Sequence, residues 1–95
     1  MNIFERENPK LFVQAILSLS DEKECMAFLE DIMTTKEILD ISQRMAVAKM
    51  LADKEVYSRI SEETGASSAT ISRVNRCFLY GAGGYTSVLE KICEK

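Results

Sequence analysis

Ninety-five residues make one small domain, and a chain of that length buries only about 60–65% of its extended surface, so a lone copy has a thin core. An apolar content of 46% excludes a disordered chain, and no apolar run approaches the roughly 18 residues of a spanning helix, which excludes a membrane protein. The net charge of −3 hides an uneven division: residues 1–40 carry four basic and nine acidic side chains, residues 41–80 six and four, and residues 81–95 two of each. Exposed charges more than about 8 Å apart are largely screened at physiological salt, so it is the local excess of +2 over residues 41–80 that a phosphate meets. No charged-then-apolar leader opens the chain, and the expected location is the cytoplasm.

In chain order, the first seven residues are polar and expected to fray. Asn8-Pro9 suits a helix start, with Asn8 as cap and Pro9 at the first helical position, where its missing amide costs nothing. Leu11, Phe12, Ala15, Ile16 and Leu19 then form a broad apolar stripe, predicting a helix over Pro9 to Leu19. Asp21-Glu22-Lys23-Glu24 reads as a capping box, and Cys25, Phe28, Leu29 and Ile32 carry a second helix to Met33. Thr34-Thr35-Lys36-Glu37 is another box, opening the longest periodic segment. Ile38, Ile41, Met45, Ala48 and Ala52 recur at spacings of three and four, and Leu39, Val47 and Leu51 widen the face, predicting a helix from Lys36 to Ala52. So wide an apolar arc has more to cover than two short neighbours supply, which argues for a homodimer with dimerisation helices over residues 8–53.

Residues 55–78 read as a helix-turn-helix. Val56, Ile60 and Thr64 recur at every fourth position, and Gly65 ends that helix by accepting positive φ. Small residues, Ser61 and Ala66, let a second helix cross closely, and Ser67 or Ser68 caps it. Its inward stripe is Ile71, Val74 and Phe78. Its outward face is Ser68, Ala69, Ser72, Arg73 and Arg76, where short side chains admit close backbone approach to base edges and arginines behind them reach phosphate or guanine. The plainer reading is two core-packed helices with solvated arginines. After the motif, Tyr80-Gly81-Ala82-Gly83-Gly84 lacks both a preceding strand and a lysine-serine pair, so it is a hinge or linker rather than a phosphate loop. Ser87 and Glu90 suit the start of a final helix over residues 85–93, bearing Val88, Leu89 and Ile92. With no period-2 strand, the chain is predicted all-α, a single domain over residues 1–95.

Catalysis has little to work with. Histidine, the commonest general base, is absent, and the carboxylates cluster at helix starts or on polar faces, where capping and solvation explain them. Cys25, Cys77 and Cys93 form an odd set without a C-x-x-C, which indicates buried free thiols rather than a disulfide or a zinc site. Neither an enzyme nor a cofactor nor a metal is expected.

The run Gly65-Ala66-Ser67-Ser68-Ala69-Thr70-Ile71-Ser72-Arg73, with the long helix before it and the short one after, resembles the Trp repressor family. The longer run GASSATISRVNRCFLYGAGGY resembles the YerC/YecD-type branch of that family more closely still. The resemblance covers Asn8 to Ile92. It implies about six helices in an intertwined homodimer, double-stranded DNA as partner, and two recognition helices entering successive major grooves about 34 Å apart. By similarity, Ser68, Ala69 and Thr70 face bases, Ser72 lies near phosphate, and Tyr57, Ser58 and Ser61 flank the groove. Arg73 matches the arginine that stacks on the corepressor indole, and Arg44 lies within one position of the other corepressor arginine. Two positions depart from the family pattern: Val74 stands where it has glycine, and Cys77 where it has serine. A branched side chain intrudes where close backbone approach makes room for the indole, so tryptophan is not expected to bind.

The sequence therefore reads as a DNA-binding transcriptional regulator, a repressor by resemblance. Arg73, Arg76, Arg59 and Lys54 are expected on phosphates, and the front of the second motif helix, from Ser67, supplies specificity. One alternative is an adaptor that uses the acidic N-terminal half to bind a protein. Another keeps DNA binding but adds an effector, a small anion held by Arg44, Arg73 and Cys77.

Overall fold

A computed structural model describes residues 2–93, which form six α-helices and no strand: α1 (Glu7–Leu17), α2 (Glu22–Ile32), α3 (Thr35–Ala52), α4 (Tyr57–Thr64), α5 (Ser68–Tyr80) and α6 (Gly84–Ile92), preceded by one 3-10 turn at Ile3–Glu5. The all-α expectation holds. The chain divides into two compact units, Met1–Thr35 and Lys36–Lys95.

In the first unit the 3-10 turn is ordered where fraying was expected. The Asn2 carboxamide accepts from the amide of Phe4 at 2.8 Å, and the turn packs on α1. The chain consequently enters α1 early. Arg6, not Asn8, occupies the capping position, without a side-chain cap, and the first helical bond runs from Lys10 N–H to Arg6 C=O. Pro9 falls at the third helical position rather than the first. It is still tolerated, because the first four amides of a helix have no intrahelical acceptor. At α2 the expected cap forms: the Asp21 carboxylate accepts from Glu24 N–H at 2.8 Å, while the Glu24 carboxylate accepts from the Ser20 hydroxyl at 3.3 Å. Phe12 and Phe28 meet across the unit with ring centroids 6.4 Å apart. None of the unit's described residues is buried, and Leu11, Leu17 and Met26 keep more than half of their surface.

The second unit has the core. Val47 and Ala48 of α3, Ile60 of α4, Ala66 in the turn, Ile71 and Val74 of α5 and Leu89 of α6 are buried, with Met45, Met50, Leu51, Phe78 and Tyr85 packed against them. The α5 stripe is as the spacing predicts. On α3 the buried line is Val47, Ala48 and the half-buried Leu51, whereas Leu39 and Ile41 are exposed. On α4 only Ile60 is buried, because Val56 is the residue before the first helical turn and is 65% exposed.

Helix α3 ends in a paired closure, Lys54 N–H to Leu51 C=O and Glu55 N–H to Met50 C=O, both 3.0 Å, with Lys54 at φ 64°. That is the closure usually made by glycine in the left-handed region. The glycine-rich stretch is a tight corner, not an extended linker: Gly81 ends α5 and Gly83 caps α6. A Cβ on Gly81 would collide with the Cys77 carbonyl, so the corner needs the bare backbone. Helix α6 starts three residues before Ser87, whose amide bonds Gly83 C=O inside the first turn. The cysteines are free, but Cys77 and Cys93 are exposed and Cys25 is half-buried, against the expectation of burial.

Candidate nucleic-acid interface

The turn between α4 and α5 is held by side chains as much as by backbone. Gly65 lies at φ 75°, and its N–H bonds Ser61 C=O at 2.8 Å. The Thr64 hydroxyl donates to Ile60 C=O at 2.7 Å and accepts from Ala66 N–H at 3.1 Å, while the Ser61 hydroxyl donates to Ala66 C=O at 2.8 Å. From α3, the Gln43 amide donates to Thr64 C=O at 3.0 Å. Ser67, rather than Ser68, caps α5: its hydroxyl accepts from Thr70 N–H and donates to the Thr70 hydroxyl, both at 3.1 Å. A reading helix needs its N-terminus fixed relative to the core, and this set of bonds does that.

On α5 the buried pair Ile71 and Val74 sets the orientation, leaving Ser68, Ala69, Ser72, Arg73 and Arg76 exposed on the other side. Arg73 and Arg76 pair with no carboxylate among the described residues. Arg59 differs. It lies 3.3 Å from Glu55 and 3.6 Å from Glu63, one turn away on either side, so its charge is shared between two carboxylates. Tyr57 and Ser58 are exposed on the first turn of α4, whereas Ser61 is half-buried with its proton committed to the turn. Lys54 is exposed at the α3 closure.

Behind α5 lies an open recess of roughly 400 Å³, lined by Asp40, Gln43, Arg44, Thr70, Arg73, Val74, Cys77 and Tyr85. Arg44, Arg73 and Cys77 all line it. Asp40 is bonded by Lys36 at 2.8 Å, and that hydrogen bond, with the carboxylate's charge, raises the Lys36 pKa. The carboxylate that lines the recess with the two arginines is thus already engaged. Val74 keeps only 3% of its surface, its side chain committed to the core.

Gln43 and Lys54 escape sequence reading in these roles. Glutamine one position before an arginine on a helix carries no local sign of a bond 21 residues away, and a lysine after a helix does not announce left-handed backbone. Arg59 between Glu55 and Glu63 at spacings of four was a readable signal.

The sequence pattern of the Trp repressor protein family matches residues 7–93. A Bacillus subtilis (strain 168) protein, uncharacterized protein YerC, is 46% identical over 89 residues, spanning 94% of this chain and 85% of its own. A TrpR-like protein from Eubacterium eligens ATCC 27750 superposes with a TM-score of 0.93 at 48% identity, over 99% of this chain and 97% of that one. A Staphylococcus aureus protein described as a candidate Trp repressor superposes at 0.89 and 38% identity, over 100% and 98%. Together with the helix order and the αL turn at Gly65, these matches establish that the chain belongs to the Trp repressor family, a family of regulatory DNA-binding proteins.

Proposed function

We propose that this protein is a cytoplasmic, homodimeric, sequence-specific DNA-binding repressor of transcription that works without tryptophan. The outward face of α5 carries the reading: small residues at its front, two arginines without carboxylate partners among the described residues behind them, and a buried Ile71–Val74 stripe opposite. Phosphate contacts by Arg73 and Arg76 supply affinity, and Ser68, Ala69 and Thr70 at the front supply base discrimination. Support for the homodimer is the first unit, where Leu11, Phe12, Ile16 and Leu17 of α1 and Met26 and Ile32 of α2 are exposed and none of the described residues forms a buried centre. Apolar helical faces of this extent are characteristic of subunit interfaces. Independence from tryptophan is supported by Val74, a core-committed residue that lines the recess together with Arg73 where the family pattern has glycine.

The test is selection of random-sequence duplex DNA by the purified protein at about 50 and 200 mM salt, between which phosphate-driven binding weakens strongly. An enriched palindrome with half-sites about one helical turn apart establishes the regulator. Absence of binding at both salts transfers the function to the adaptor reading, with the acidic residues 1–40 as working surface. A second reading is favoured by the recess itself, which Arg44 and Arg73 both line: a DNA-binding regulator gated by a small anionic effector. Thermal stabilisation by a panel of anionic metabolites supports it, and saturable micromolar tryptophan binding in calorimetry overturns the tryptophan-independent reading.

A further inference from the structure

The bonds that hold the reading turn from within span at most five residues, whereas the bond from Gln43 spans 21 and ties α3 to the last carbonyl of α4. That carbonyl is one of the four that a helix leaves without an internal acceptor role, and it is half-buried, so it needs a donor from elsewhere. Gln43 meets the turn at close quarters, since its Nε2 would stand 3.9 Å from a Cβ on Gly65. It also lines the recess with Thr70, whose amide and hydroxyl are bonded to the capping Ser67. One side chain on α3 therefore touches the pivot of the reader, and a residue that lines the same recess is fastened to the reader's tip.

We infer that Gln43 is a positioning residue: a built-in latch that sets the angle of α5 on α3, so that the DNA-reading geometry is supplied by the chain's own amide rather than by a bound ligand. This rests on the DNA-binding reading above. Base contacts tolerate errors of only roughly 0.5 Å, and α5 leaves the turn as a rigid rod, so freeing the pivot misplaces the front residues. Phosphate contacts, made by long arginines, follow the displaced helix more readily. Loss of the latch therefore degrades discrimination before it degrades affinity for DNA in general.

The experiment compares the full chain with Gln43→Met, which keeps shape but cannot donate, and Gln43→Glu, which donates only when protonated. Binding is measured to the operator selected above and to a random-sequence duplex of equal length. Gln43→Met is expected to lower the operator-to-random affinity ratio about five- to tenfold, with random-duplex affinity and salt slope unchanged. Gln43→Glu is expected to show the same loss at about pH 8 and to recover toward about pH 5, a profile the parent protein lacks. An unchanged ratio in Gln43→Met, or loss of both affinities together, overturns the latch. If the parent protein shows no selectivity, the DNA reading fails and amide exchange decides the latch alone. Exchange at Gly65 and Ala66 accelerated in Gln43→Met, with α5 protected as before, sustains it; unchanged exchange there overturns it.

Discussion

Gly65 and Lys54, with Arg59 and Arg76, show how backbone and charge set the reader's limits. Gly65 and Lys54 both sit at positive φ, but only one is glycine. An L side chain in that region costs about 1–2 kcal/mol. Gly65→Ala is therefore expected to lower stability by about that much, through conformation rather than crowding, since the nearest atom to the new methyl is 3.9 Å away. Lys54→Gly is expected to raise stability by about 1 kcal/mol, less the entropy glycine adds to the unfolded chain. Urea midpoints at constant slope measure both, and DNA affinity of the second variant reports whether the Lys54 amine reaches phosphate. Among the arginines, Arg76→Ala should weaken binding to all sequences and reduce the salt slope by about one. Arg59→Ala should do much less, because Glu55 and Glu63 already share its charge. Filter-binding titrations across salt separate the two, and equal losses would place Arg59 on the DNA. Substitutions at Ser68 or Thr70 should instead alter the preferred sequence.

At the scale of elements, the helix-turn-helix was legible because each of its devices is local. A glycine after a helix, a serine cap and an apolar stripe at spacings of three and four all act within one or two turns, and the structure has α4, Gly65, Ser67 and α5 accordingly. Ser67→Ala is expected to cost about 1 kcal/mol, since the cap is lost and the Thr70 hydroxyl loses its partner. Thermal denaturation checks the cost, and a shift in selected sequence would show that Thr70 depends on the cap for its placement. Less legible was the start of α1, where the Asn8-Pro9 signal lost to a turn at Ile3–Glu5 that starts the helix earlier. The connection at Gly81–Gly83 was legible as a hinge or linker, but not as a tight corner. Its glycine content signals freedom of backbone, but not whether that freedom is used for slack or for a close approach such as Gly81 on the Cys77 carbonyl. The outward face of α5 could be listed from the sequence; the Gln43 bond to Thr64 could not, because helix packing, not spacing, brings them together.

For the whole molecule, the asymmetry between the two units matters most. Residues 36–93 enclose a core, while the described part of the first unit has none. A thin or missing core is completed by association, and folding and dimerisation then become one equilibrium. The melting temperature is accordingly expected to rise by several degrees over a hundredfold increase in protein concentration; a concentration-independent value would show that one copy is self-sufficient. Charge is divided along the same line, with −5 over residues 1–40 and +2 over residues 41–80, so the excess acid lies outside the part of the chain proposed to read DNA. The bare apolar surface of α1 and α2 has a consequence for the cell. If two copies are needed before either is complete, operator occupancy follows the square of the monomer concentration at low abundance. Synthesis and degradation of the protein then serve as its input signal, and a newly made copy without a mate is the one exposed to proteases.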